Sequence, residues 1–304
     1  NLTYDDWLMN EFGIPREILP EIRSSSEIYA YTRPDLFFNA RIPISAVCAD
    51  QFAAIFGQAC YKSGTIHCNL GTGSGLTLNT GNRLIPPVKG VQSPVLWAID
   101  GKITRGFGSW TNFSGSAIQW LRDELGIIHN FNDAEIMASR VPDSGGVYFV
   151  PSFSGLSGSN DDPYARGTIF GIAQNTSKNH LVRAALDAMA FQVRGSFDLL
   201  HEVSKISITN VRVGGGGAKN ELLMQILANI LGIVVERPLV SESSVLGAAF
   251  LAGLATGYWE STEQTQSLVQ IDRTWEPELS KDQRDRLYTG WTRAIERSAG
   301  WLKY

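Results

Sequence analysis

The sequence is poor in positive charge. Lys and Arg total 26 against 30 Asp and Glu, for a formal net charge of −4, and the basic residues form no run. That balance speaks against a nucleic-acid-binding surface. Uninterrupted apolar stretches fall far short of the ~20 residues that a membrane-spanning helix requires. Cysteine is scarce too. Cys48, Cys60 and Cys68 are odd in number, sit in apolar segments and lack metal-ligand spacing. Buried thiols in a reducing cytoplasm are the expected outcome. No signal peptide, internal repeat or low-complexity linker is present, and the first residues, Asn1 to Trp7, begin a helical pattern without an initiator Met. This start suggests a fragment, or a chain whose earlier part is absent.

Glycine is plentiful at 30 residues, and much of it clusters in three short loops. The most informative stretch runs from Val47 through Leu78. Ile44 to Cys48 reads as a buried strand that stops at Asp50, and Gln51 to Tyr61 places Phe52, Ala53, Ile55, Phe56 and Ala59 at helical spacing. Asp50 therefore falls at a strand-to-helix junction, where its carboxylate can face off the end of a sheet or simply bond the amides of Phe52 or Ala53 as an N-cap. A strand with period-two character follows, broken by Gly71-Thr72-Gly73. Such a break is often only a bulge or hairpin turn, but bare amides there also let an anion approach. A proton acceptor beside a phosphate-sized loop is the layout of phosphoryl transfer.

The remaining pattern predicts strands at 76–79, 95–99 and 103–107, the last two joined by the hairpin dipeptide Asp100-Gly101. Residues 110–125 carry Trp110, Phe113, Ala117, Trp120 and Leu121 at helical spacing, and 131–140 forms a weaker helix. A strand at 147–151 leads into a polar loop over 152–166, expected at the surface, whose Asp161-Asp162-Pro163 reads as a turn rather than a metal site. A long helix from Ser177 to about Ser204 precedes a β-branched strand at 208–213. That strand enters Gly214-Gly215-Gly216-Gly217 and then a helix closed by Gly232. Strand, tetraglycine, helix is an anion- and nucleotide-binding order, though tight packing of a βα turn also explains it. Helices at 243–258 and from the Ser280/Gln283 capping box onward complete the chain. The order of elements implies a mixed α/β sheet with helices on its faces.

Taken together, Arg41 to Ser45, Ala49-Asp50-Gln51, Gly71 to Gly73, Ala117 to Asp123, Asp162 to Thr168, Gly215 to Asn220, Glu236 to Pro238 and Leu246 to Gly253 resemble the FGGY family of sugar and polyol kinases, and most of all its glycerol kinases. The resemblance implies an ATP- and Mg²⁺-dependent, cytoplasmic enzyme that phosphorylates a small polyol or sugar, and it is compatible with a homo-oligomer. It also implies a pair of ribonuclease H-like domains of the actin and sugar-kinase superfamily. Residues 1–50 would close the first domain and 51–304 form the second, nucleotide-binding one.

By the same resemblance Asp50 is the catalytic base and Gln51 a substrate-hydroxyl contact. Gly71, Thr72 and Gly73 hold phosphate, and Gly115, Gln119, Gly216, Gly217 and Asn220 contact nucleotide. The family's upstream Asp-x-Gly-Thr-Thr hairpin and glycerol-binding positions do not occur in the sequence, so this segment alone is expected to be inactive. Gly75 stands where glycerol kinases place Phe, which implies a roomier acceptor site and leaves a ketopentose or heptulose kinase as an alternative, while the missing first domain leaves a second, a catalytically inactive nucleotide-binding module. Phe52 and Gly214 replace a Gln and an Asp, and no regulatory glycine loop precedes Arg41.

Overall fold

A computed structural model describes residues 2–157 and 161–303. After α1 (Asp6–Glu11), β1 (Ser26–Tyr31) and β2 (Pro43–Ala46) form an antiparallel pair. Next come α2 (Asp50–Gly57), β3 (Ile66–Leu70), β4 (Ser74–Gly81), β5 (Val95–Ile99) and β6 (Lys102–Thr111). The helices α3 (Ser116–Asp123) and α4 (Phe131–Ala138) precede a small hairpin, β7 (Tyr148–Val150) and β8 (Thr168–Phe170). Then follow α5 (Lys178–Ser204), β9 (Asn210–Gly214), α6 (Glu221–Leu231), β10 (Val234–Pro238), α7 (Ser243–Ala255), α8 (Thr262–Leu268), β11 (Ile271–Trp275) and α9 (Lys281–Ser298).

The main sheet has the order β11-β10-β9-β3-β4-β6-β5. β9 lies parallel to both β3 and β10, and the remaining pairs are antiparallel. Alternation along the central strands divides the protein into layers. On one face Ile66, Cys68, Leu76, Leu78 and Phe107 meet α5 and α6 in the larger core. On the other, Ile55 and Phe56 of α2 and Phe250 and Leu251 of α7 pack with Leu96 and Trp97 of β5, with Phe56 and Trp97 edge to face at 5.0 Å. The mixed sheet with flanking helices is the architecture the sequence implied.

The hairpin dipeptide behaves as its chemistry dictates: Asp100 and Gly101 both take positive φ, 50° and 71°. Ser280 and Gln283 form the capping box that opens α9. Burial pushes the Cys60 and Cys68 thiols up to about 12, so both stay protonated, while Cys48 is half-buried.

Four expectations need correction. The strand before Asp50 is not buried: Ile44 is 48% and Val47 64% exposed, because β1 and β2 form a separate ribbon with α7 on one side only. Trp110 is not helical. Pairing of Gly75 with Trp110 and Ser74 with Thr111 holds β6 extended to Thr111, and α3 starts at Ser116. The 152–166 loop is not wholly a surface feature, since Ser152 is buried and the Phe153 ring lies 5.7 Å from that of Trp120; residues 158–160 lie outside the described ones. Within it Asp162 accepts hydrogen bonds from the amides of Tyr164 and Gly300, a turn that also anchors the end of the chain. Finally, α7 ends at Ala255, three residues before Tyr258.

The crossing of α2 and α7 fixes where Asp50 sits. A Cβ on Gly57 would strike the carbonyl of Ser243 and lie 2.6 Å from the amide of Gly247, and one on Gly247 would strike the carbonyl of Ala53. The two backbones therefore touch. Gly247→Ala should destabilise the protein by about 2 kcal/mol in urea unfolding, the scale of overpacking. A stabilisation of up to ~1 kcal/mol, the helix-propensity gain of alanine, would show that the contact is unimportant.

Candidate active site

Asp50 is the first residue of α2. The helix is capped by Ala49, whose extended backbone lets its carbonyl accept from the amides of Phe52 and Ala53 at 3.0 and 2.8 Å. The Asp50 side chain is thus released from capping those amides. One carboxylate oxygen accepts from the amide of Gln51 at 2.7 Å, and the group is exposed at the end of the sheet. Its backbone carbonyl accepts from the Ser244 hydroxyl at 2.9 Å, which ties the start of α2 to α7.

Gly71 to Gly73 is the hairpin turn between β3 and β4, with Leu70 opposite Ser74. The turn is latched to α3: Gly71 carbonyl accepts from Gly115, and Thr72 carbonyl from Ser114 and Ser116. The Gly115 amide is therefore spent inside the protein rather than presented to an anion. The Thr72 residue at the tip stays exposed.

The tetraglycine stretch divides its labour. Gly214 ends β9, and residues 216–219 form a single tight turn before Asn220 caps α6 by accepting from the Leu223 amide at 2.8 Å. Gly215 has φ +81°, and a Cβ there would lie 2.5 Å from Asn69 Oδ1 and 2.7 Å from the Leu70 carbonyl; at Gly217 it would lie 2.9 Å from Leu70 Cβ. Both are packing glycines. Gly216 differs: nothing lies within 4 Å of its Cβ position. Its lack of a side chain leaves open space.

That space borders two adjoining cavities. One, of about 620 Å³, lies on the α2 side and is lined by Asp50, Gln51, Thr77, Trp110 and Glu242. The other, of about 410 Å³ and more apolar, lies on the opposite side among Ile118, Gln119, Phe131, Leu186 and Met189. Gly71, Thr72, Gly216 and Lys219 line both. Of the residues singled out in the sequence, Asp50, Gln51 and Gly73 line the first cavity, and Gly115, Gln119, Gly217 and Asn220 line the second. The acid and both glycine turns share one continuous crevice.

Sequence reasoning missed Lys219. Among the described residues it is the only Lys or Arg side chain lining either cavity, and it stands where they meet. Its position inside the glycine turn was the available signal. Also missed was Glu135, which accepts from the amides of Glu221 and Leu222 and so covers the start of α6 in the apolar cavity. His67 lines the first cavity without charge. Burial pushes its imidazole down to about 4, and Nδ1 lies 2.8 Å from Gln58 Oε1. Because Gln58 Nε2 donates to the Val213 carbonyl, Oε1 is the acceptor and His67 the donor.

Comparison with known proteins is consistent with this geometry. The C-terminal domain model of the FGGY family of carbohydrate kinases matches residues 66–256, and the N-terminal domain model matches residues 1–57. Glycerol kinase 2 of Thermotoga maritima is 44% identical over 302 residues, covering 99% of this chain and 61% of that protein. The glycerol kinase of Borreliella afzelii is 45% identical over 306 residues, covering 99% of this chain and 60% of that protein. A crystal structure of Plasmodium falciparum glycerol kinase with ADP superposes with TM-score 0.92 at 29% identity, over 98% of this chain and 60% of that one. A xylulose kinase from Lactobacillus acidophilus shares the fold, with TM-score 0.83 at 20% identity over 97% of this chain and 61% of that one. The chain thus spans about 60% of the length of the curated relatives it matches.

Proposed function

The chain belongs to the FGGY family of carbohydrate kinases, and from that premise we propose that the protein transfers a phosphoryl group from ATP to a hydroxyl of a short polyol, glycerol first among them. The observation that carries this reading is that the two cavities share the glycine turns, with the exposed Asp50 carboxylate on one side and the Glu135 carboxylate on the other taken up by the amides of Glu221 and Leu222. An adenine and ribose suit the apolar cavity beside Gln119, Phe131 and Asn220. The phosphate chain then crosses Gly216 and Thr72 beside the ammonium of Lys219. The acceptor occupies the α2-side cavity, where Asp50 takes the proton of the attacking hydroxyl and Gln51 orients a neighbouring one.

Positioning and charge neutralisation supply most of the rate in such reactions. Mg²⁺ fits this site as an ion carried by phosphate. Among the described residues no group of three His, Cys, Asp or Glu could hold a metal, and the carboxylates lining the acceptor cavity are Asp50 and Glu242. Bound, it would neutralise phosphate charge, as it usually does with one or two carboxylates and water.

On this reading residues 1–50 belong to the first kinase domain and 51–304 to the second. Among the described residues no helix is long and apolar enough to cross a membrane. Three unpaired thiols suit the reducing cytoplasm, where we place the enzyme. The test is a phosphorylation assay of the intact gene product with ATP, glycerol and a panel of longer polyols and ketoses. Glycerol should be phosphorylated with the highest kcat/KM. The 304-residue segment alone should bind ADP in calorimetry yet phosphorylate none of the panel. Absence of any transfer by the intact protein overturns the reading.

A further inference from the structure

Trp110 occupies an unusual seat. It pairs across the sheet with Gly75, and Gly108 lies two residues earlier on the same face of β6. A Cβ on Gly75 would lie 2.6 and 2.7 Å from Cδ1 and Nε1 of the indole, and one on Gly108 2.9 Å from Cη2 at its far end. The ring therefore lies along a strip of bare backbone that two glycines provide, one on each strand. Covering an otherwise naked glycine with an aromatic from the neighbouring strand also stabilises the sheet. The indole is half-buried, and it lines the α2-side cavity together with Asp50, Gln51 and Thr77. Gly75 consequently does not leave the acceptor site roomier, as the sequence suggested. Trp110 has taken the space.

We propose that Trp110 is the specificity-determining residue of the acceptor site: its indole, seated on Gly75 and Gly108, forms an apolar wall that limits the length of the carbon chain presented to Asp50. The inference rests on the kinase reading above and deepens it. A flat ring suits the CH face of a polyol, while Gln51 and Thr77 serve its hydroxyls. Because the ring rests on the backbone of Gly75 and Gly108, it cannot retreat toward the sheet to admit a longer acceptor. Two glycines and one tryptophan thus set a fixed depth, whereas the nucleotide cavity on the other side of the turns contains none of the three.

The experiment measures kcat/KM of the intact protein for glycerol and for five-carbon polyols and ketoses, together with KM for ATP. Trp110→Ala should lower the preference for glycerol over the five-carbon acceptors by at least ~10-fold, the scale of discrimination by apolar pocket volume. KM for ATP should stay within about twofold, since the ring is remote from the nucleotide cavity. Gly75→Phe combined with Trp110→Ala, which returns an aromatic to the same space from the paired strand, should restore much of the preference. Trp110→Phe keeps a ring and serves if the alanine variant does not fold; it should show an intermediate preference. An unchanged preference in an active Trp110 variant overturns this inference alone. A parent that phosphorylates no acceptor overturns it together with the kinase reading.

Discussion

Asparagine at position 50 is expected to leave ADP affinity within about twofold of the parent while lowering turnover by at least ~100-fold, the usual scale of a lost general base. The substitution is nearly isosteric. The amide oxygen can still accept from the Gln51 amide, and the first turn of α2 is held by the Ala49 carbonyl, so the helix start has no need of the charge. What disappears is an oxygen able to take a proton. The apolar cavity proposed for the nucleotide does not include residue 50, which is why affinity for ADP should be spared. Single-turnover phosphorylation beside ADP calorimetry would separate the two effects. Turnover within about tenfold of the parent would remove Asp50 from the role of base.

The second large effect concerns Gly216. Replacement by valine should weaken ADP binding by at least ~10-fold, or 1.4 kcal/mol, and leave the unfolding midpoint close to that of the parent. The reasoning is steric: its Cβ direction is empty of protein, and that emptiness is where the two cavities meet. Gly215→Val should show the reverse signature. With φ at +81° and the Leu70 carbonyl 2.7 Å from its Cβ position, it should lose about 3 kcal/mol of stability, combining left-handed backbone strain with overpacking. Equal losses of stability in both variants would mean that the tetraglycine stretch serves packing alone.

These glycines show how far residue types can be read. Four in a row signalled a ligand, yet Gly215 and Gly217 are explained by their distance to Leu70, and only Gly216 faces open space. No local rule separates them, because the difference lies in a strand that pairs with β9 from some 140 positions away. Asp50 illustrates the same limit from the other side. Its junction between strand and helix was legible from hydrophobic periodicity, whereas its release from N-capping depends on the Ala49 backbone. Trp110 was misread outright. Helical spacing from Trp110 to Leu121 is genuine, but pairing with β4 outweighs it and keeps the residue extended.

By itself, the amino-acid order determined the alternation of strands and helices, the two glycine turns, the acid ahead of them and a mixed sheet. Each of these follows from periodicity, turn chemistry or short motifs, which act over a few residues. Only the tertiary structure decided that a cation at position 219 stands where the cavities join, that one glycine of four is open, and that an indole roofs Gly75. Those outcomes depend on which distant backbones come to lie within a few ångströms, and close packing is a property of neighbours in space rather than along the chain.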